Sequence, residues 1–382
     1  MRFQRPRPGT RSEIRVLAPA VICSRGFHAP RGLRFLRKTG VTRALADHRK
    51  CRLPGAGSPA RDGVRAKPMK ISIILPLFDR RTTGWRSLES AVDQSFPRDR
   101  YEVVAVTGSD LERAADDPVV GPLLARCDAV VRTDLDTSVV ANELAFYQAG
   151  YQRASGDLLL FMEGHTVLAT NCCALIDDYF HGHPMMAMAW APRINHGETP
   201  LGRLVSLHNL RHERRAIAQG MFSLGANSVI RRDVFARLGA FDPRYRRFGE
   251  TAILQRAQAE GIAIGRIDLP LATHCNDMHV DLWRDLVTQM GHAKFGYYSA
   301  LRASGENLRA HVRHPVYLAA GHPWSARVFH PLFRAAGAVF LHLATRSLRV
   351  SESFASALYV LAVGFVDLSG YCSAYGRKNV LS

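Results

Sequence analysis

From residue 71 onward the chain alternates continuous apolar runs with stretches of helical period. Ile71 to Phe78 reads ISIILPLF. A run of that length without polar alternation predicts a strand buried on both faces, as in a parallel sheet. Trp85, Leu88, Val92 and Phe96 then recur at helical spacing, and Pro97 marks the stop. Tyr101 to Val106 predicts a second buried strand, residues 111–127 a poorer helix, and Ala129 to Val131 a third strand. Val140, Leu144, Tyr147, Tyr151 and Ala154 fall on one face of a long helix that leads into a fourth strand, Leu158 to Met162. Strands alternating with helices over short connections predict a doubly wound α/β sheet. Ligands of such sheets bind beyond the carboxyl ends of the strands. Attention therefore falls on Asp79, on Thr107 to Asp110, and on Glu163 to His165.

Beyond residue 184 the regularity fades. Met185 to Trp190 predicts a strand, Leu204 to Gln219 a polar helix, Phe222 to Ile230 an extended segment, and Asp233 to Leu238 a short helix stopped by Gly239. Ile262 to Leu271 reads as a late strand. Phe329, Leu332, Phe333, Ala336, Phe340 and Leu343 form a helical stripe, with Arg327, Arg334, Arg346 and Arg349 around it. Phe354 to Leu368 is strongly apolar but interrupted by Asp367. A spanning helix needs about 20 apolar residues. The stripe and the run are read as helices lying in a membrane interface or as core helices packed on the preceding domain.

Charge changes the picture at the amino end. The 382 residues carry a net charge of +18, which invites a nucleic-acid or anionic-lipid reading. Residues 1–68, however, hold 17 basic and 3 acidic residues, a net +14, with seven prolines and no sustained period. The remainder holds 34 basic and 30 acidic residues, a net +4. The segment 1–68 is read as a disordered basic leader. It is a membrane or nucleic-acid tail, a transit peptide, or the product of a start site assigned upstream of Met69. No secretory signal is read after the early arginines, and the seven cysteines show no C-x-x-C spacing. Both observations suit a reducing, cytoplasmic setting. No G-x-G-x-x-G follows the first strand, and no phosphate-binding P-loop or G-x-S-x-G elbow occurs, which argues against NAD, P-loop and hydrolase chemistry.

Four segments, in order, carry a resemblance. They are Ser72 to Asp79 with Ser87 to Pro97; Tyr101 to Val106; Ala154-Ser155-Gly156-Asp157 running into Glu163-Gly164-His165; and Gly225-Ala226-Asn227 through Arg232, with Gly239-Ala240-Phe241-Asp242 and Phe248-Gly249-Glu250. Over residues 70–280 the chain resembles a family 2 glycosyltransferase of the GT-A, nucleotide-diphospho-sugar transferase, fold. The resemblance implies a mostly parallel central sheet flanked by helices. It divides the chain into a leader (1–68), a GT-A domain (69–280) and a helical extension (281–382) that packs on the domain or contacts a membrane peripherally from the cytoplasmic face.

The resemblance also implies a chemistry: sugar transfer, with inversion, from a nucleotide-diphosphate donor to a hydroxyl of a glycan or lipid-linked acceptor, with a divalent cation (Mn²⁺ or Mg²⁺) and no nucleic-acid partner. Where the family carries Asp-x-Asp after the fourth strand, this chain has Glu163-Gly164-His165. Both residue types ligate such cations, and the related polypeptide N-acetylgalactosaminyltransferases carry Asp-x-His there. His274 matches a family His near the metal or diphosphate; from the residues alone it is equally a buried, satisfied His. Spacing alone also allows Glu163 to His165 to be a turn in which Thr166 caps a helix. Asp79 matches a base-contacting position, and Gly225 and Asn227 the sugar pocket. Thr107 to Asp110 stands where the family has an acidic donor-contacting pair, with only Asp110 acidic and later than expected, and Gln148 stands where the family has Asn. Glu250 matches the acidic pair that supplies the general base, although Thr251 replaces its second member. Those departures leave one competing reading within the same fold, a catalytically inactive sugar-nucleotide or glycan-binding scaffold. A third reading is a polyanion or anionic-membrane binder acting through residues 1–68.

Overall fold

Strand β1 (Ile71–Pro76) is buried at all six positions because it is paired on both edges and covered on both faces. It lies parallel to β2 (Tyr101–Thr107) on one side and to β4 (Leu158–Phe161) on the other, and β2 pairs in parallel with β3 (Ala129–Arg132). The computed structural model describes residues 68–77, 84–108, 116–136, 139, 142–218, 228–242, 245, 248–305, 317 and 323–376. Alternate residues of the strands feed two cores. Ile71, Ile73, Leu75, Val103, Leu158 and Leu160 pack with Leu88 of α1 (Gly84–Val92) and with Cys172, Ile176 and Phe180 of α4 (Cys172–Gly182). On the other face Ile74, Val104, Val106, Leu159 and Phe161 pack against Leu144, Phe146 and Tyr147 of α3 (Glu143–Arg153). Phe235 of α6 (Arg232–Arg237) and Ile253 of α7 (Gly249–Ala259) complete that face. Each fully buried Ile or Leu contributes about 1.5–3 kcal/mol relative to an exposed one.

The sheet has seven strands in the order β3-β2-β1-β4-β8-β6-β9. β8 (Ser228–Arg231) runs antiparallel to both β4 and β6 (Met188–Trp190), and β6 pairs in parallel with β9 (Ile264–Arg266). One reversed strand thus interrupts the doubly wound pattern expected from the apolar runs. The predicted helix over 111–127 is represented by α2 (Val120–Leu124), with 111–115 outside the described residues. The predicted late strand over 262–271 is only three residues long.

A second, three-stranded sheet has the order β5-β10-β7. β5 (Thr166–Leu168) lies antiparallel to β10 (Ala272–Cys275), which is parallel to β7 (Arg193–His196). These strands of three or four residues alternate polar and apolar side chains too briefly to stand out in the sequence. Thr166 opens β5 rather than capping a helix.

The junction of β1, β2 and β4 is polar and buried. Glu102 accepts hydrogen bonds from Lys70 Nζ (2.8 Å), Ser72 Oγ (2.6 Å) and the Gly156 amide (3.1 Å). Burial would raise its pKa, but Lys70, the Ser155 amide and hydroxyl, and Ser72 hold the carboxylate down at about 2. A Cβ on Gly156 would fall 2.7 Å from the Ser72 amide nitrogen, so only glycine fits. Asp157 accepts from the Lys70 amide (2.9 Å). The Ser155-Gly156-Asp157 segment that carries part of the resemblance therefore locks the sheet.

The carboxyl-terminal region is helical: α8 (Val280–Ala303), α9 (Pro323–Ser347) and α10 (Glu352–Gly376). α10 packs on α9, on α8 and on α5 (Pro200–Ala218). Glycines at the α8–α10 crossing bring the backbones together; a Cβ on Gly291 would clash with the Asp367 carbonyl oxygen.

Candidate metal centre

The site forms where β4 ends and the second sheet begins. Met162 continues β4, its amide bonding Ile74 O (2.9 Å), and the chain then turns at 163–165. Ser87 Oγ of α1 donates to Gly164 O (2.7 Å), and the Thr166 amide donates to Glu163 O (3.0 Å), which fixes the turn. Glu163 and His165 are thereby presented from a pinned backbone. The Cys275 amide donates to His165 O (3.0 Å), and β10 lies opposite β5 with His274 facing Thr166. That pairing brings two histidines 109 residues apart into contact: His165 Nε2 and His274 Nε2 are 2.6 Å apart.

Glu163 Oε2 lies 3.0 Å from His274 Nε2 and 3.3 Å from His165 Nε2. It is buried and makes no hydrogen bond of good geometry among the described residues. His274 Nδ1 is likewise buried without a partner among the described residues. Burial alone would raise the Glu163 pKa, but the adjacent His274 nitrogen, His165 and Arg193 hold the carboxyl well below the usual carboxylate range. Burial pushes His274 down to about 3, with Arg193 and His165 acting in the same direction. The site therefore presents an ionised carboxylate and, at His274, a neutral imidazole, the ligand forms a cation requires.

The donor set fits a divalent cation. One carboxylate oxygen and two imidazole nitrogens converge within 4.8 Å of one another. Ligands about 2.1 Å from a common ion stand about 3 Å apart when adjacent, and the three separations here bracket that value. Hard oxygen with imidazole nitrogen suits Mn²⁺, Mg²⁺ or Zn²⁺.

Three neighbours of the cluster were not singled out from the sequence. Arg193 of β7 places a guanidinium nitrogen 3.8 Å from Glu163 Oε2, and its buried Nε lacks a partner among the described residues. Glu213 of α5 braces β7, accepting from the Arg193 amide (3.2 Å) and from Asn195 Nδ2 (3.3 Å). Tyr147 reads as a core position from its helical spacing, and its ring is fully buried against Phe161 and Phe241. Its hydroxyl nevertheless has no hydrogen-bond partner among the described residues. Burial and the charges of Glu163 and Glu250 push it well above the usual phenol range. Tyr147 thus lies within the electrostatic reach of both carboxylates.

Of the remaining residues singled out from the sequence, Glu250 sits in the first turn of α7, half-buried. Thr107 closes β2 and is buried, its carbonyl accepting from the Thr133 amide (2.9 Å). Gln148, one residue from Tyr147, accepts from the Phe241 amide (3.4 Å) and ties α3 to the segment before α7. Asp79, Asp110, Gly225 and Asn227 lie outside the described residues.

No protein-family model and no curated protein matches the chain. Among solved structures it is similar to the mannosyltransferase PcManGT from Pyrobaculum calidifontis, in complex with GDP-Man and Mn²⁺. The TM-score is 0.51 at 13% identity, over 80% of this chain and 87% of that one. TarS of S. aureus, residues 1–349 in complex with UDP, aligns over 81% of this chain and 91% of its own, at 14% identity and a TM-score of 0.42. The first likeness concerns the fold, and the chain has a GT-A-like α/β fold with a candidate cation site at the end of β4.

Proposed function

We propose that the chain is a metal-dependent glycosyltransferase of the family 2 kind, transferring a sugar from a nucleotide-diphosphate donor to a hydroxyl of a glycan or lipid-linked acceptor. The observation that carries this reading is the convergence of Glu163, His165 and His274 at the carboxyl end of a central strand, where doubly wound sheets bind their ligands. The similar mannosyltransferase PcManGT, solved with GDP-Man and Mn²⁺, supports it on the level of fold.

Glu163, His165 and His274 would hold the cation, which neutralises charge gathering on the leaving nucleoside diphosphate. Arg193, beside Glu163, offers a guanidinium to the same phosphates. Glu250 is assigned the base role. Its carboxylate takes the acceptor hydroxyl proton as the acceptor oxygen bonds to the anomeric carbon. The bond from that carbon to the diphosphate breaks on the opposite face, giving inversion. Asp79, Thr107, Asp110 and Gln148 are assigned to the nucleotide side of the pocket, and Gly225 and Asn227 to the sugar side.

The test is a donor-hydrolysis screen over nucleotide sugars with Mn²⁺, Mg²⁺ or chelator. Turnover of at least one donor, stimulated by cation and abolished by chelator, is the expected result. Glu163→Ala and His165→Ala should each lower it at least about 100-fold while leaving the melting temperature within a few degrees. Donor binding with no turnover over a broad panel of donors and acceptors would instead favour the inactive scaffold.

A further inference from the structure

The helical hairpin α9–α10 has two unlike sides. Inwardly, Gly337, Leu341 and Ala344 of α9 meet Ala362 and Val366 of α10, and Phe340 stacks on Phe365. Outwardly, Val328, Leu332, Val339 and Leu343 follow one another at helical spacing on α9, and all four are exposed. Val350 in the turn is 87% exposed, and Phe354 at the start of α10 is 57% exposed. With Val360 and Leu361, eight exposed aliphatic and aromatic side chains on the described part of one hairpin are more than scattered surface residues.

Both helices contain windows long and apolar enough to cross a membrane. The packing of α10 is incompatible with spanning. Its Asp367 accepts from Lys294 Nζ of α8 (2.7 Å), and its Tyr359 hydroxyl accepts from Trp283 Nε1 of α8 (2.7 Å). Glu352 pairs with Arg203 of α5 (2.7 Å). Inserting α10 across a bilayer would drag the charged helices α8 and α5 with it or tear these contacts apart. Only the outer face is free to meet lipid.

Charge identifies the lipid. Residues 323–354 contain four arginines and one acid, Glu352, which is neutralised by Arg203 of α5. Arg334, Arg346 and Arg349 are exposed, the last two where the apolar stripe ends. A second copy of this chain would bring the same positive charge to a two-fold interface and repel it. Anionic headgroups complement it, each arginine strengthening surface binding several-fold. We propose that the outer face of α9, continued through Val350 and Phe354, docks flat on an anionic phospholipid bilayer, with Arg346 and Arg349 at the headgroups. This surface stands independently of the chemistry at Glu163.

The leader carries +14 and meets anionic vesicles by charge alone, so the readout must be local. The full-length Val339→Trp variant is mixed with vesicles of phosphatidylglycerol and brominated phosphatidylcholine. The added tryptophan should be quenched about twofold beyond the four native ones, because a docked face sits about 5–10 Å into the headgroup boundary. Adding Leu332→Glu and Leu343→Glu should abolish the extra quenching. Arg346→Glu with Arg349→Glu should weaken it at least about tenfold in lipid concentration. All substituted positions are solvent-facing, and far-UV circular dichroism checks the fold. If the paired Glu variant melts early, the single Arg346→Gln variant carries the same comparison. Absence of extra quenching while the chain still sediments with vesicles would mean that the leader alone binds, and would overturn the proposal. So would quenching that survives an alkaline wash, the mark of a span, or a dimer in light scattering that Leu332→Glu splits.

Discussion

At the scale of single residues, the site rests on side chains whose burial would be costly without a purpose. Glu163 Oε2, His274 Nδ1, Arg193 Nε and the Tyr147 hydroxyl are all buried without a good hydrogen bond among the described residues. An unsatisfied buried polar atom costs about 1–3 kcal/mol. Tyr147→Phe removes one such atom at constant shape. It is therefore expected to leave the melting temperature unchanged or raise it, as differential scanning calorimetry will show; a drop of several degrees would reveal a partner for the hydroxyl. Glu250→Gln keeps shape and removes basicity. It should lower transfer to acceptor about 10²–10⁴-fold while leaving Mn²⁺ affinity intact, a split that steady-state rates and a metal titration measure together. Glu163 and His165 were legible in the sequence because they follow an unmistakable buried strand. His274 was legible only through resemblance, since nothing local to LATH distinguishes a ligand from a core histidine. Tyr147 was hidden because a phenol on an apolar stripe looks like packing.

At the scale of elements, the strands buried on both faces announced themselves as nearly continuous apolar runs: β1, β2 and β4, broken by Ser72 in β1 and Glu102 in β2. The second sheet did not. Its strands are three or four residues long and carry Thr, Arg, Asn and His, so no period could establish itself. That sheet is what joins His274 to His165 and places Arg193 beside Glu163, so the site's completeness depends on the least legible elements. The reversed direction of β8 was hidden too, because an apolar run does not encode strand polarity. The β1–β2–β4 junction makes its own prediction. Glu102 has a folded pKa depressed to about 2 from an ordinary 4.5. A depressed carboxylate adds stability above its unfolded pKa and loses it as pH falls toward the folded one. Wild type should therefore lose this contribution between about pH 4.5 and 2. Glu102→Gln, less stable at pH 7, should show a flatter melting-temperature profile through that window. Equal slopes would remove Glu102 from the acid response. Gly156→Ala, which drives a methyl into the Ser72 backbone, should cost about 1–3 kcal/mol in denaturant melts.

At the scale of the whole molecule, charge and chemistry occupy different regions. The +18 that suggests polyanion binding is concentrated in residues 1–68, whereas the candidate site belongs to a remainder that carries only +4. A chain beginning at Met69 should lose most of its salt-sensitive retention on heparin. It should keep its Mn²⁺ affinity, and retention unchanged by the deletion would move the polyanion surface onto the folded body. The central claim is that Glu163, His165 and His274 form one cation site. Mn²⁺ titration of the full chain, followed by the electron paramagnetic resonance of free ion, tests it most directly. One saturable site in wild type, weakened at least about 100-fold by each of Glu163→Ala, His165→Ala and His274→Ala, is the predicted result. Unchanged Mn²⁺ binding in any one of the three variants would contradict it.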